Sequence, residues 1–384
     1  MISDRMKMIG ESSTIALNQI AMDMQRKGTK IYNFGIGEPY QTTPVNIIES
    51  AFENAKNGKT HYTPSNGIPE LREKISEKFK RKNNIMADPS QIVVTPTKYA
   101  LFLTAMAILN PGDKVIIPEP YWVSYPYIIR LSGGIPIFIG TTEEYELEED
   151  MLRKSIVGNV KALILNNPLN PVGKVYSEKS IRKLTDIILE YNNIYLISDE
   201  TYEDIIYDGR MFSPASIPEM ADRTVTISGF SKSYAMTGWR IGYMTGPKDI
   251  IDSANIIQQH TITCAASISQ YAALAALNDE KTPIKLRNAF LKRMKLVTHL
   301  LSESDAISFY KPQGTFYVFP SYNFKINSDN FTKDLLVAKH VIVTPGTAFG
   351  RQGEYHFRIS YATSLNTIEE GIPLIIKYLE EKTK

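Results

Sequence analysis

Short β-rich runs alternate with helical patterns through the middle of this 384-residue chain. The runs cover residues 91–95, 114–117, 135–140, 161–165, 194–198 and 224–228. Between two of them, Ile181, Leu184 and Ile188 recur with a period near 3.6, which predicts an amphipathic helix with Ser177 as its N-cap. This alternation predicts an α/β fold with a mainly parallel sheet, in which ligands bind beyond the carboxyl ends of the strands.

The two ends of the chain have a different pattern. After a helical stretch around 253–278, strand candidates at 314–319, 340–344 and 355–360 mix with helices near 285–303 and 367–384. Residues 1–28 predict one or two helices, followed by an extended segment at 31–37. We therefore expect a large domain over 46–280 and a smaller α+β domain made of 1–45 and 281–384.

The composition excludes several classes of function. The 43 basic and 41 acidic residues leave a net charge of +2, which argues against a broad nucleic-acid surface. The single cysteine, Cys264, rules out an intrachain disulfide and a cysteine-based metal cluster, and the five histidines lack metal-ligand spacing, so no metal is expected. No apolar stretch reaches membrane-spanning length and residues 1–28 lack a signal peptide's apolar core, so we expect a cytoplasmic protein without a membrane partner.

Two near-matches to well-known motifs are incomplete. Gly35 and Gly37 are followed by Pro39 and Tyr40, so the dinucleotide-binding glycine pattern of dehydrogenases is not completed. The run 229–233 lacks the last glycine of a hydrolase nucleophile elbow. Neither nucleotide-dependent hydride transfer nor serine hydrolysis is favoured.

Lys232 lies just past a predicted strand, where ligands of α/β proteins bind. Two hydroxyls, Ser231 and Ser233, flank it, and Arg240 follows eight residues later. Hydroxyls and a guanidinium suit a dianionic phosphate.

The segment 228–243 resembles the cofactor-lysine motif of the class I and II aminotransferases, which are aspartate-aminotransferase-like, fold-type I pyridoxal-phosphate enzymes. Blocks in the order of that family occur at 61–64, 67–72, 120–126, 166–173, 198–202, 344–350 and 357–362, so the resemblance spans about residues 30 to 370. It implies a large domain with a mostly parallel, seven-stranded sheet flanked by helices, plus a smaller α+β domain.

The resemblance also implies catalytic roles. Lys232 would form a Schiff base with pyridoxal 5'-phosphate and then move the proton between the substrate Cα and the cofactor's C4'. Asp199 would face the pyridine nitrogen and keep it protonated, so that the ring acts as an electron sink. Tyr202 and Asn170 would hydrogen-bond the 3'-oxygen and lower the imine's pKa.

Further contacts to the cofactor are implied in the same way. Arg240 would pair with the phosphate, Ser228 or Ser231 would add a hydroxyl, and which serine reaches stays open. Trp122 would stack on the ring. Tyr62 resembles the tyrosine that reaches the phosphate of a neighbouring subunit, which implies a homodimer with shared active sites.

Arg358 would clamp the α-carboxylate of the substrate with a fork-shaped pair of hydrogen bonds. Gly37 would bring its backbone close to the substrate, beside Trp122 and Asn170. One segment departs from the family, which has a glycine-containing loop before the helix that supports the phosphate. Here that loop has no glycine and is one residue shorter, and Thr97 and Lys98 are its candidate phosphate contacts.

The resemblance therefore implies a ping-pong aminotransferase that exchanges an amino group between an L-amino acid and a 2-oxo acid such as 2-oxoglutarate. Aspartate, aromatic and alanine-like donors stay open. The alternative is a same-fold enzyme that carries out β-elimination (a C–S lyase) or another reaction at Cα. A regulator that binds the cofactor without turnover would need a fused DNA-binding segment, for which residues 1–28 are too short.

Overall fold

A computed structural model describes residues 2–10 and 13–383 of the chain. Within these residues there are twelve α-helices. They are α1 Ser13–Arg26, α2 Val45–Lys56, α3 Pro69–Lys78, α4 Thr97–Ile108, α5 Tyr125–Leu131, α6 Glu149–Ser155, α7 Glu178–Leu189, α8 Lys248–Gln259, α9 Ser267–Leu277, α10 Lys281–Leu301, α11 Ser328–Lys339 and α12 Leu365–Thr383. A π-helical turn, Phe79–Asn83, directly extends α3, and Ser177 caps α7 as predicted, because its side chain accepts a hydrogen bond from the Ser180 amide.

The same residues contain fourteen strands. They are β1 Tyr32–Asn33, β2 Ile92–Thr95, β3 Lys114–Pro118, β4 Ile135–Ile139, β5 Val160–Asn166, β6 Tyr195–Asp199, β7 Thr224–Gly229, β8 Gly242–Thr245, β9 Ile307–Ser308, β10 Tyr317–Val318, β11 Ser321–Tyr322, β12 Val341–Ile342, β13 Thr344–Pro345 and β14 Phe357–Ser360. Short 3-10 helices lie at Asp4–Met8, Pro89–Gln91, Pro214–Ser216, Pro218–Arg223, Thr237–Trp239, Gly346–Phe349 and Arg351–Gly353.

The main sheet has seven strands in the order β2-β8-β7-β6-β5-β3-β4. Only β8 runs antiparallel to its neighbours β2 and β7, and the other pairs are parallel. The α/β fold with a mostly parallel, seven-stranded sheet is therefore confirmed. The strand β8 was not among the six β-rich runs, and it lies at the end of the lysine motif.

Helices cover both faces of this sheet, because alternate residues of each buried strand point to opposite sides. On β5, Ala162 and Ile164 pack in one apolar cluster with residues of α4 and α8, whereas Leu163 and Leu165 pack in another with residues of α7. The carboxyl ends of β5, β6 and β7 are brought to one edge, which is where Asn166, Asp199 and Gly229 end their strands.

The remaining strands form three small sheets: β1 with β12, β10-β14-β13, and β11 with β9. The strand β1 pairs with β12 in parallel, which joins the N-terminal segment to the C-terminal part of the chain. Phe34 packs in the apolar cluster of α10 and α12. The predicted domain boundaries, 46–280 against 1–45 and 281–384, stay a prediction.

The helical stretch expected around 253–278 is two helices, α8 and α9, because the segment between them contains Thr263 with a φ of +66°, outside the helical region. None of the helices in residues 2–10 and 13–383 has the length and apolar character needed to span a membrane.

Candidate active site

A cavity of about 470 Å³ opens at the carboxyl ends of β5, β6 and β7. Most of the residues singled out in the sequence line it: Gly37, Thr97, Lys98, Trp122, Asn170, Asp199, Tyr202, Ser231, Lys232, Arg240 and Arg358. These side chains come from segments that are far apart in the sequence, so the fold brings together what the separate motifs only suggested. Ser228 and Tyr62 do not line the cavity.

Lys232 lies three residues after the end of β7, and its Nζ donates a hydrogen bond to the Gly37 carbonyl at 2.6 Å. Burial of the amine, together with the positive charges of Arg358 and Arg240, lowers the pKa of Lys232 to about 8, although Glu38 and Asp199 act in the opposite direction. A lowered pKa supplies neutral amine near physiological pH, which is the form that attacks carbonyl carbon.

Acylation of the ligand-free protein tests this pKa. At pH 7 a pKa of about 8 leaves roughly a tenth of the amine neutral, against about one part in 3,000 for an ordinary lysine. Competitive labelling with acetic anhydride, read by mass spectrometry, should give a labelling midpoint near pH 8 for Lys232. Exposed Lys30 is the internal control, because its hydrogen bond to Glu370 raises its pKa. A labelling midpoint above pH 10 for Lys232 would show that its pKa is not lowered.

Asp199 ends β6 and faces into the cavity. Its Oδ2 accepts a hydrogen bond from Tyr125 Oη at 2.7 Å, and its Oδ1 accepts one from Thr201 Oγ1 at 2.6 Å. Burial raises the pKa of Asp199 even though these hydrogen bonds and Lys232 oppose the rise. A cation placed against this buried carboxylate would stabilise its charged form, so the site is suited to a protonated ring nitrogen.

Tyr202 lies three residues after Asp199, and its hydroxyl is 3.0 Å from the hydroxyl of Tyr317. Tyr317 was not predicted as a site residue, yet it lines the cavity and its ring centroid lies 4.3 Å from the Arg358 guanidinium carbon. Tyr317 also accounts for the glycine at position 37, because a Cβ there would clash with the Tyr317 hydroxyl.

Arg358 lies on β14 and is only 7% exposed. Its Nη1 donates to Asn170 Oδ1 at 3.1 Å and its Nη2 donates to the Gly35 carbonyl at 2.9 Å, whereas its buried Nε has no partner. Within residues 2–10 and 13–383, no carboxylate forms an ion pair with it. A buried guanidinium without a counter-charge, lining a cavity, is suited to an incoming carboxylate.

A second cationic region lies at the start of α4. Arg240 donates from Nη1 to the Thr237 carbonyl at 2.7 Å, and burial together with the charge of Arg240 lowers the pKa of Lys98. The first turn of a helix has amides without helical acceptors and favours anions. At this turn the buried Thr97 Oγ1 has no hydrogen-bond partner. An anion at this position could pair with Arg240 and Lys98 and accept a hydrogen bond from the Thr97 hydroxyl.

Two glycines in the main sheet lie close to Thr97, the residue that begins α4 after the glycine-free loop. A Cβ at Gly229 on β7 or at Gly242 on β8 would clash with Thr97 Oγ1. The two glycines thus leave room for the Thr97 side chain, which lines the cavity.

Two predicted cofactor contacts lie elsewhere. Ser228 is buried on β7 outside the cavity lining, and its hydroxyl donates to Glu203 Oε1 at 2.6 Å. Ser231 lines the cavity, and which of the two serines contacts the phosphate stays a prediction. Tyr62 is 87% exposed on this single chain, and its contact to a neighbouring subunit stays a prediction.

Trp122 completes the cavity wall. Its ring makes an edge-to-face contact with Tyr125, with centroids 5.3 Å apart, and Lys98 Nζ lies 4.8 Å from the Trp122 ring centroid. An aromatic face beside Asp199 and Lys232 can stack on a flat ring. In the part of the chain that the structure describes, no group of three or more His, Cys, Asp or Glu side chains could hold a metal ion.

Comparisons with known proteins agree with this geometry. The family model "Aminotransferase class I and II" matches residues 29–375. The chain is 40% identical to an aspartate aminotransferase of Bacillus sp. (strain YM-2) and 38% identical to an aromatic-amino-acid aminotransferase of Thermococcus litoralis, each match covering 99% of both chains. The crystal structure of an aspartate aminotransferase from Rhizobium meliloti is 35% identical, covers 99% of both chains and superposes with a TM-score of 0.94. The chain belongs to the class I and II aminotransferase family.

Proposed function

We propose that this protein is an aminotransferase that uses pyridoxal 5'-phosphate to exchange an amino group between an L-amino acid and a 2-oxo acid. The observation that carries the proposal is the placement of the Lys232 amine in one cavity with two separate anion sites, one at Arg240 and one at Arg358. A phosphate-bearing cofactor and a carboxylate-bearing substrate need such a pair of sites.

The side chains around the cavity fit this cofactor. When bound, pyridoxal phosphate supplies an electrophilic carbon and a ring that withdraws electrons from the substrate Cα. Its phosphate fits the unpartnered Thr97 hydroxyl, together with Ser231, Lys98 and Arg240. Lys232 would hold the cofactor covalently through Nζ. The ring's own contacts would come from Asp199 at its nitrogen, Tyr202 and Asn170 at its hydroxyl oxygen, and Trp122 at its face.

The chemical steps assigned to this chain concern binding and proton transfer. Arg358 would bind the substrate α-carboxylate and fix the orientation of Cα towards Lys232. The Lys232 amine, with its pKa lowered to about 8, would then take the proton from Cα and deliver it to the cofactor's C4'. The second half-reaction would use the same groups in reverse with a second 2-oxo acid.

A panel of amino donors tests the function. Protein loaded with pyridoxal phosphate is mixed with one equivalent of L-aspartate, an aromatic amino acid, L-alanine or an amino acid that carries a sulfur leaving group at Cβ. We expect conversion of the cofactor to its amine form with one equivalent of 2-oxo acid and no ammonia, and regeneration by 2-oxoglutarate. Release of ammonia with a 2-oxo acid from a β-substituted donor, without formation of the amine form, would instead establish the same-fold alternative, β-elimination.

The donor named for the relatives varies between aspartate and aromatic amino acids. We propose that this chain takes its donor from that group or from alanine-like donors, and that 2-oxoglutarate is the acceptor. Its cytoplasmic location stays a prediction.

We propose a homodimer with shared active sites. The proposal is supported by the 87% exposure of Tyr62 and by exposed apolar side chains on α2, namely Val45 and Phe52. Subunits carrying Tyr62→Phe and subunits carrying Lys232→Ala should form mixed dimers with one fully native site when exchanged. At limiting cofactor the mixture should be more active than the sum of the two separate samples. Activity equal to that sum would contradict site sharing, and a mixture of native and Lys232→Ala subunits is the control.

A further inference from the structure

Five buried polar residues form a hydrogen-bonded group behind the cavity, which we call the carboxylate network: Lys78, Asn83, Glu200, Glu203 and Ser228. None of them is more than 7% exposed, and none lines the 470 Å³ cavity. The network contains two carboxylates and one ammonium that neither the cofactor nor the substrate would touch.

Glu203 is the centre of the network. Its Oε1 accepts hydrogen bonds from Lys78 Nζ at 2.5 Å and Ser228 Oγ at 2.6 Å, and its Oε2 accepts one from Asn83 Nδ2 at 2.9 Å. Burial opposes the charge of Glu203, but Lys78 and the other donors lower its pKa to about 2, so the carboxylate is charged. Glu203 therefore connects its own turn to two other segments, β7 and the helix formed by α3 and the π-helical turn.

Glu200 forms the second half of the network. Its Oε2 accepts a hydrogen bond from Asn83 Nδ2 at 3.0 Å, and its Oε1 accepts one from Ser213 Oγ at 2.6 Å. Burial and the neighbouring Glu203 charge raise the pKa of Glu200 to about 7. Asn83 reaches both carboxylates because it ends the π-helical turn that follows α3.

Two of the segments joined by Glu203, its own turn and β7, lead to the reacting groups. Glu203 directly follows Tyr202 and lies four residues after Asp199, and Ser228 lies four residues before Lys232. The Glu203–Ser228 hydrogen bond thus connects the turn after β6 to the strand that leads to Lys232. Buried ion pairs are costly to desolvate and are often no more stabilising than apolar residues, so stability alone does not account for an ion pair at this position beside the site.

We propose that Glu203 is a positioning residue that fixes the Asp199–Tyr202 turn relative to Lys232 through its hydrogen bond from Ser228. The assignment rests on the proposed function, because Glu203 would control the distance from Lys232, which would hold the cofactor, to Asp199 and Tyr202, which would contact its ring. Loosening that hydrogen bond would weaken the contact from Tyr202 to the ring oxygen. The bound imine would then hold its proton more tightly and its pKa would rise.

The test is Ser228→Ala in the full chain loaded with pyridoxal phosphate. This change removes the connecting hydroxyl and leaves every buried charge in place. We expect the pH midpoint of the cofactor's visible absorption band to rise by about half a unit or more, and kcat to fall by about tenfold. The KM for the amino donor should stay within about threefold, since Arg358 is not displaced.

Ser213→Ala is the matched control, because it removes one hydroxyl from Glu200 and none from Glu203. Its absorption midpoint should not move. Glu203→Gln is the second variant, and its kcat should fall further than that of Ser228→Ala. Equal midpoint shifts in both serine variants, or a loss of thermal stability without any shift, would overturn the positioning role. An unsubstituted protein without a titrating visible band would overturn the proposed function itself, and the positioning role with it.

Discussion

Lys232→Ala is expected to abolish covalent attachment of pyridoxal phosphate and to lower kcat by about four orders of magnitude. Two losses combine in this variant, because the same amine would attach the cofactor and move the Cα proton. Among the residues that the structure describes, Lys98 is the one other lysine in the cavity lining, and it lies at the proposed anion site beside Arg240. Steady-state kinetics and the visible absorption spectrum measure both losses.

Lys30→Ala is the control for this variant, because Lys30 is an exposed lysine paired with Glu370 outside the cavity. Its kcat and spectrum should equal those of the unsubstituted protein. Turnover by Lys232→Ala within tenfold of the unsubstituted protein would show that another group moves the proton.

Arg358→Ala is expected to raise the KM for the amino donor by about 100-fold, which corresponds to roughly 2.7 kcal/mol. The guanidinium is buried, has no carboxylate partner in the described residues and has an unpartnered Nε, so its fork is available to a substrate carboxylate. Titration of the apo-protein with pyridoxal phosphate should give a dissociation constant within about threefold of the unsubstituted value, because the proposed phosphate site lies at Arg240 and Thr97.

Arg358→Lys is the matched variant for the clamp. It keeps the positive charge but loses the planar fork, so it should recover only part of the lost affinity for the donor. Equal losses of donor and cofactor affinity in Arg358→Ala would instead identify Arg358 as a residue that supports the whole cavity.

The sheet could be predicted from the sequence because its strands are short, buried runs bounded by clear helical patterns. The runs at 161–165 and 194–198 overlap β5 and β6 over their full predicted length except for one residue of the latter. The strand β8 was missed because its four residues overlap the end of the lysine motif and only a 3-10 turn, Thr237–Trp239, lies between it and Lys232. Its antiparallel pairing with both β2 and β7 has no signal in the local pattern.

The site residues could be predicted only where a motif carried them. Tyr317 and its contacts to Tyr202 and Arg358 join segments that are more than 40 residues apart, so no local spacing reveals them. The placement of Ser228 could not be predicted for a related reason. It precedes Lys232 by four residues in sequence, but it lies inside the strand, where its side chain points to Glu203 rather than to the cavity.

Reduction of the loaded protein with borohydride, followed by peptide mapping, tests the central assignment most directly. Reduction makes the bond between cofactor and lysine permanent, so mass spectrometry can identify the modified residue without reference to activity. The account predicts one pyridoxyl group per chain, attached to Lys232. A pyridoxyl group on Lys98 or on any other lysine, with Lys232 unmodified, would contradict it.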